Sequence, residues 1–293
     1  MKKWTFSLAV FSALVFFSSC EDVVQVKLDE GSKLYVIDAF ITDLKQMQTV
    51  VITQSDNYFS NQQAPVVSGA QVILTDLTTN AQYNFTYTNK GQYVYDAGTQ
   101  PAIDAISHVF ELKVNIEGTD YTAMATQKRT AVIDSISAIY NDGTGGFGTG
   151  EPFYNCLLWA RDKVDQTADY YWIKTYRNDT LFGGPADLNT SIDGTNGEVF
   201  DANADTLDFT PPGIFLGFNS YQKNDVCKVE IHSISRECYN FLNQAVAQIQ
   251  NGGLFATTPE NVRTNIVTPS GATTKAIGWF NMASVVSKTK IVQ

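Results

Sequence analysis

Histidine is nearly absent from this 293-residue chain, which holds only His108 and His232. No H-E-x-x-H pattern can be built from them, and each falls in an expected strand, which leaves little material for imidazole catalysis or a histidine zinc site. Cysteine is also sparse. The four thiols at positions 20, 156, 227 and 238 contain no C-x-x-C pair, which excludes zinc-ribbon and dithiol redox motifs. No Gly-Lys-Ser/Thr and no G-x-S-x-G occurs, which excludes a Walker-type phosphate loop and a hydrolase nucleophile elbow. Charged residues make up 17% and balance to −10. An acidic surface does not suit nucleic acid, whose phosphates carry the same sign. After residue 17 no apolar run reaches the ~20 residues of a membrane-spanning helix.

What is present begins at the N-terminus. Lys2 and Lys3 precede an apolar run from Trp4 to Phe17, and small Ser18 and Ser19 stand before Cys20. Positive start, apolar run and small-residue site are the three parts of a secretory signal. A cysteine directly after the small residues resembles the lipobox of bacterial lipoproteins, in which the thiol takes a diacylglycerol and the leader is cut before it. Residues 1–19 are thus expected to be a leader, Cys20 the lipidated residue and 20–31 a tether. Multiple acyl chains would make the lipid a stable anchor, where one chain alone binds only marginally.

The remainder alternates short runs of Val, Ile, Thr and Tyr with clusters of Asn, Asp, Gly and Pro, the pattern of an all-β protein. Two bodies are expected. A β-sandwich covers 32–128, with strands such as Lys33–Ile41, Gln82–Tyr87 and His108–Val114. A second β-sandwich or barrel-like domain covers 129–293. It carries one helix over 235–250, where Ser235 is an N-cap and Cys238, Phe241, Leu242, Ala245, Val246 and Ile249 recur at helical spacing. The polar stretch from Asn178 to Leu207 reads as a surface loop or hairpin.

The candidate chemistry is thin. Gly143 to Gly148 matches G-x-G-x-x-G but lacks the βαβ context a dinucleotide site needs. Asp187, Asn189, Ser191, Asp193 and Glu198 fit a calcium-loop spacing, yet Ile192 stands where the sharp turn requires glycine. No metal, cofactor or catalytic set is expected. Tyr170, Tyr171, Trp172 and Tyr176 alternate along one strand, which reads as packing on two covered faces. In an oxidising compartment Cys227 and Cys238, close in sequence, could close a disulfide and leave Cys156 over. Asp134-Ser135-Ile136, Asp179-Thr180-Leu181 and Asp205-Thr206-Leu207 resemble the Asp-Ser/Thr-aliphatic O-glycosylation pattern of Bacteroidota, with Ser135, Thr180 and Thr206 as acceptors.

The order of several short motifs carries a family likeness. Lys33-Leu34-Tyr35-Val36-Ile37-Asp38 comes soon after Cys20, followed by Gly69-Ala70-Gln71-Val72 and Gly91-Gln92-Tyr93. Ser235-Arg236-Glu237-Cys238-Tyr239, Asn261-Val262-Arg263 and Gly278-Trp279-Phe280 close the chain. This order resembles the Bacteroidota lipoproteins of the domain-of-unknown-function-4249 family. The resemblance implies an Ig-like or prealbumin-like first sandwich. It also implies a lipid-anchored outer-membrane protein, at the cell surface with the periplasmic face as alternative, that serves a TonB-dependent nutrient transporter as a non-catalytic accessory or binding component. It supplies no catalytic residue. A surface glycan or peptide hydrolase and a structural or adhesive envelope protein are the competing expectations.

Overall fold

The computed structural model describes residues 31–56, 62–144, 150–161, 168–185, 187–192, 214–216, 221–251, 258 and 260–293. Sixteen strands and one helix are described, so the all-β class holds.

Eight strands form one continuous sheet. They are β1 (Tyr35–Thr42), β2 (Met47–Gln54), β3 (Gln71–Asp76), β4 (Gln82–Tyr87), β5 (Gln92–Asp96), β6 (Val109–Ile116), β7 (Thr119–Thr126) and β15 (Ala276–Ala283). Their order is β15-β1-β2-β5-β4-β3-β6-β7. Strands β3, β4 and β5 follow one another by hairpins and β6 returns beside β3, a Greek key. Alternation does the folding work: Tyr35, Ile37, Ala39 and Ile41 of β1 point inward, as do Phe110, Leu112, Val114 and Ile116 of β6. The sheet curls until its two ends meet. Thr122 of β7 and Val267, just before β15, exchange backbone hydrogen bonds at 3.3 and 2.7 Å, and the Tyr121 hydroxyl donates to the Thr274 carbonyl at 2.7 Å. The result is a nearly closed barrel.

A second body stacks two smaller sheets. One has β8 (Val132–Asn141), β9 (Phe153–Arg161) and β13 (Ile214–Phe215). The other has β10 (Tyr170–Arg177), β11 (Thr180–Leu181), β12 (Asn189–Ile192), β14 (Val226–Ile234) and β16 (Val285–Ile291). Ile136, Cys156 and Leu158 from the first sheet meet Tyr171, Ile173, Val229 and Ile231 from the second in a shared core. The expected loop between 178 and 207 supplies β11 and β12, which both pair with β10.

The expected boundary at 128/129 does not separate these bodies. Strand β15, from the far end of the chain, runs parallel to β1 and is a barrel wall. Gly278 makes that approach feasible: it adopts φ +114°, and a Cβ there would collide with the Ile37 backbone. The helix α1 (Arg236–Ile249) begins where expected, with the Ser235 hydroxyl accepting from the Cys238 N–H at 3.1 Å. It covers the barrel's outer face, where Phe241 stacks on Trp279 at 4.8 Å. Ile234, Cys238, Leu242 and Trp279 form a third core with Phe40 and Trp172, a seam between barrel and sandwich. Buried polar bonds pin the seam. Gln127 donates to the Ser284 hydroxyl at 3.0 Å, and the Ser233 hydroxyl donates to the Lys128 carbonyl at 2.8 Å. Residues 33–293 accordingly form one compact unit.

Candidate functional site

The most concentrated chemistry lies on the outer face of β10 and β14. In a strand, alternate residues share a face. Tyr171, Ile173 and Thr175 of β10 enter the sandwich core side, so Tyr170, Trp172, Lys174 and Tyr176 face the other way. Antiparallel register sets Trp172 against His232, Lys174 against Glu230 and Tyr176 against Lys228.

Glu230 is the centre of this array. Its carboxylate accepts from the Lys228 ammonium at 3.0 Å, from His232 Nε2 at 3.1 Å and from the Tyr176 hydroxyl at 3.0 Å. Burial alone would raise its pKa, but the three donors outweigh that and hold the carboxyl down at about 2. Burial also lowers the pKa of His232, against the pull of Glu230, so the imidazole is neutral at pH 7. The tautomer that satisfies Glu230 carries its proton on Nε2, an assignment made from the hydrogen-bond pattern.

Lys174 completes the array from β10. Its ammonium stands 3.9 Å over the Trp172 ring. Burial lowers its pKa, opposed by the charges of Glu230 and Asp38. Asp38 is exposed on the outer face of β1. Desolvation raises its pKa, and Lys174 opposes the rise.

A cleft of about 490 Å³ opens beside this array, lined among others by Trp172, Lys174, Leu181, Phe182, Asp187 and Asn189. Its far wall is built tightly: the Gly184 N–H donates to an Asp187 carboxylate oxygen at 2.7 Å, and a Cβ on Gly183 would press on the Asp187 side chain.

The aromatic run reads as packing, as its alternation suggested. Trp172 is edge-on to Phe40 at 5.2 Å and lies under Lys174, Tyr170 meets Tyr239 at 5.4 Å, and Tyr176 lies under Lys228. These rings are engaged by the protein itself.

A second histidine–carboxylate contact, His108 Nδ1 to Asp76 Oδ2 at 2.8 Å, is local architecture. Asp76 also accepts from the Thr78 N–H and the Thr79 hydroxyl. These bonds overcome its burial, hold its pKa at about 2 and pin the turn between β3 and β4.

The remaining sequence candidates divide. Cys20 and Thr206 lie outside the described residues, as do Asp193, Glu198 and Gly145–Gly148. Ser135 on β8 and Thr180 on β11 are both exposed. Asn189 and Ser191 belong to strand β12 rather than a calcium loop. No cluster of three or more metal-ligating side chains occurs among the described residues. The expected Cys227–Cys238 pairing is corrected. Cys227 points into the sandwich core while Cys238 on α1 points into the seam, so the 11 positions between them do not bring the thiols together. All three described cysteines are free and buried. Cys227 instead faces Cys156 of β9, within hydrogen-bonding reach.

Fold and site together define an all-β scaffold: a nearly closed barrel locked to a two-sheet sandwich, with a cleft against a charged strand face. Its family follows from a match to the family described as Domain of unknown function (DUF4249) over residues 21–289, and the chain belongs to that family. No curated protein matches the chain. Among solved structures it is similar to the chicken CNTN1 FN1–FN3 domains at 13% identity, covering 67% of this chain and 59% of that one, with a TM-score of 0.23. A likeness that low does not bear on the architecture, which rests on the strand order given above.

Proposed function

We propose that this protein is a Bacteroidota lipoprotein, anchored through Cys20 at the outer-membrane surface, that serves a TonB-dependent nutrient uptake system as a non-catalytic binding component. The cleft beside Trp172 and Lys174 is its binding surface. One observation carries the binding half of this reading: the ionisable groups around the cleft are already spent on one another. Glu230 has three donors and Lys174 is bracketed by Trp172, Glu230 and Asp38, an arrangement that fixes a surface rather than freeing a nucleophile. The membrane half is supported by the leader and lipobox, by the start of the family match at residue 21, directly after Cys20, and by the family likeness. Affinity capture of the protein at native expression, from gently solubilised outer membranes, tests it. Co-recovery of a large TonB-dependent transporter is expected. Recovery of the lipoprotein alone refutes the partner, and unchanged membrane attachment of Cys20→Ala refutes the anchor.

One observation favours the hydrolase reading. Asp38 is pushed up and Glu230 down while both face Lys174, and opposed shifts are what an acid–base pair requires. Against it, both Glu230 oxygens are occupied. Turnover of a glycan or peptide substrate that Asp38→Asn abolishes would reverse this order.

A further inference from the structure

The sandwich core holds two thiols that neither the cleft nor the seam uses. Cys156 lies in the middle of β9 and Cys227 near the start of β14, strands of opposite sheets. Both side chains are fully buried in the same core cluster. They face each other within hydrogen-bonding reach, and the Tyr221 hydroxyl stands beside them. That hydroxyl is buried and has no hydrogen-bond partner among the described residues.

We propose that Cys156 and Cys227 form a disulfide in the exported protein, a covalent staple between the two sheets of the sandwich, with Cys238 remaining a free thiol in the seam. The compartment half of this statement rests on the export reading above; the choice of partners rests on the core geometry alone.

The chemistry is disulfide exchange. One thiolate attacks an external disulfide, such as that of an envelope thiol oxidase or oxidised glutathione, and releases one thiol from it. The second thiolate attacks the resulting mixed disulfide and releases the other. Two protons leave, the cysteine pair loses two electrons, one S–S bond forms, and the external disulfide is reduced to two thiols. Cys227 is the better first nucleophile, because the facing Cys156 thiol lowers its pKa against the effect of burial. Since the finished core excludes an oxidant, the exchange takes place while β9 and β14 are closing on each other.

The test has two arms. In the first, a Cys20→Ala chain is refolded from denaturant in a couple of reduced and oxidised glutathione, alkylated, and digested without reduction. A peptide pair joining Cys156 to Cys227, with Cys238 alkylated, is expected. Alkylation of both Cys156 and Cys227, or a Cys227–Cys238 link, overturns the proposal. In the second, the lipidated protein is alkylated in intact cells before extraction and mapped in the same way. The same linked pair is expected. If the refolded chain is linked and the cellular protein is fully alkylated, the pairing stands and the export reading falls.

Discussion

Replacing Glu230 by glutamine keeps the shape of the side chain and removes its charge. In the parent both carboxylate oxygens accept, from Lys228 on one side and from His232 and Tyr176 on the other. An amide offers one acceptor oxygen and turns an NH₂ group toward groups that are themselves donors. Holding the carboxyl at about 2, where an ordinary glutamate titrates at 4.5, is equivalent to about 3 kcal/mol of folding stability. That agrees in order with the ~3–5 kcal/mol lost when one partner of a buried ion pair is removed. The pH dependence separates charge from mere misfit. Because the folded-state pKa is depressed, the contribution is complete above 4.5, where both states are ionised. It fades as pH falls toward about 2, since the unfolded chain there takes a proton that the folded one refuses. Urea unfolding of parent and Glu230→Gln across the acid range gives the difference directly. At pH 7 the variant is expected to be weaker by about 3 kcal/mol, and the curves converge below pH 4.5. A variant within about 0.5 kcal/mol of the parent at neutral pH refutes the reasoning, because that is the scale of an ordinary surface change. A gap that stays constant through the acid range refutes it too.

Three further perturbations report on other parts of the molecule. Gly278→Ala forces a Cβ into the Ile37 backbone at a positive φ, so a loss of about 3 kcal/mol or more is expected in a denaturant titration. Reducing the proposed Cys156–Cys227 bridge reopens a loop of about 70 residues. Chain entropy sets this near 4 kcal/mol, and calorimetry with and without reductant should show the melting temperature falling by about 5–15 °C. Leu181, 53% exposed on the cleft wall, gives the ionic array no polar group, though it lies opposite Tyr176 in the β10–β11 register. Leu181→Ala, which adds no charge beside Tyr176, is expected to lower transporter recovery about tenfold, equivalent to about 1.4 kcal/mol, with the melting temperature shifting by no more than about 2 °C.

Local alternation made most strands legible, and the helix was legible from its cap: Ser235 and the apolar stripe from Cys238 to Ile249 located it within a residue at each end. Strand β16 was not legible. Its middle, Ser287-Lys288-Thr289-Lys290, is exposed on both faces, so no hydrophobic period marks it, and its backbone bonds to β14 make it a strand. The parallel pairing of β1 with β15 joins segments some 240 positions apart, and no local pattern encodes such a contact. Gly278 was its only trace, and a glycine inside a strand run signals a close backbone approach without naming what approaches. The site was half legible. The alternation of Tyr170, Trp172, Lys174 and Tyr176 marks one covered strand face, but its partners Lys228, Glu230 and His232 enter through the register of β14. Among 30 acids nothing in the sequence distinguished Glu230. The cysteines show the same limit: closeness in sequence favoured Cys227 with Cys238, while strand and helix aimed the two at different cores.

Trp172 explains why the cleft and the barrel cannot be treated separately. Its ring is met edge-on by Phe40 of barrel strand β1, faced by the ammonium of Lys174, and set 6.1 Å from the His232 ring that donates to Glu230. One indole therefore touches the barrel, the cleft wall and the buried ion pair. Truncating it would remove an aromatic contact, a cation–π contact and part of the cover over a buried charge at once, and these effects do not add. A loss of binding in a Trp172 variant would say nothing about ligand contact. A cleaner position lies further along the same wall, where exposed Leu181 lines the cleft and meets the array only at Tyr176 across the strand pair, so removing its side chain separates binding from stability better than any change at Trp172.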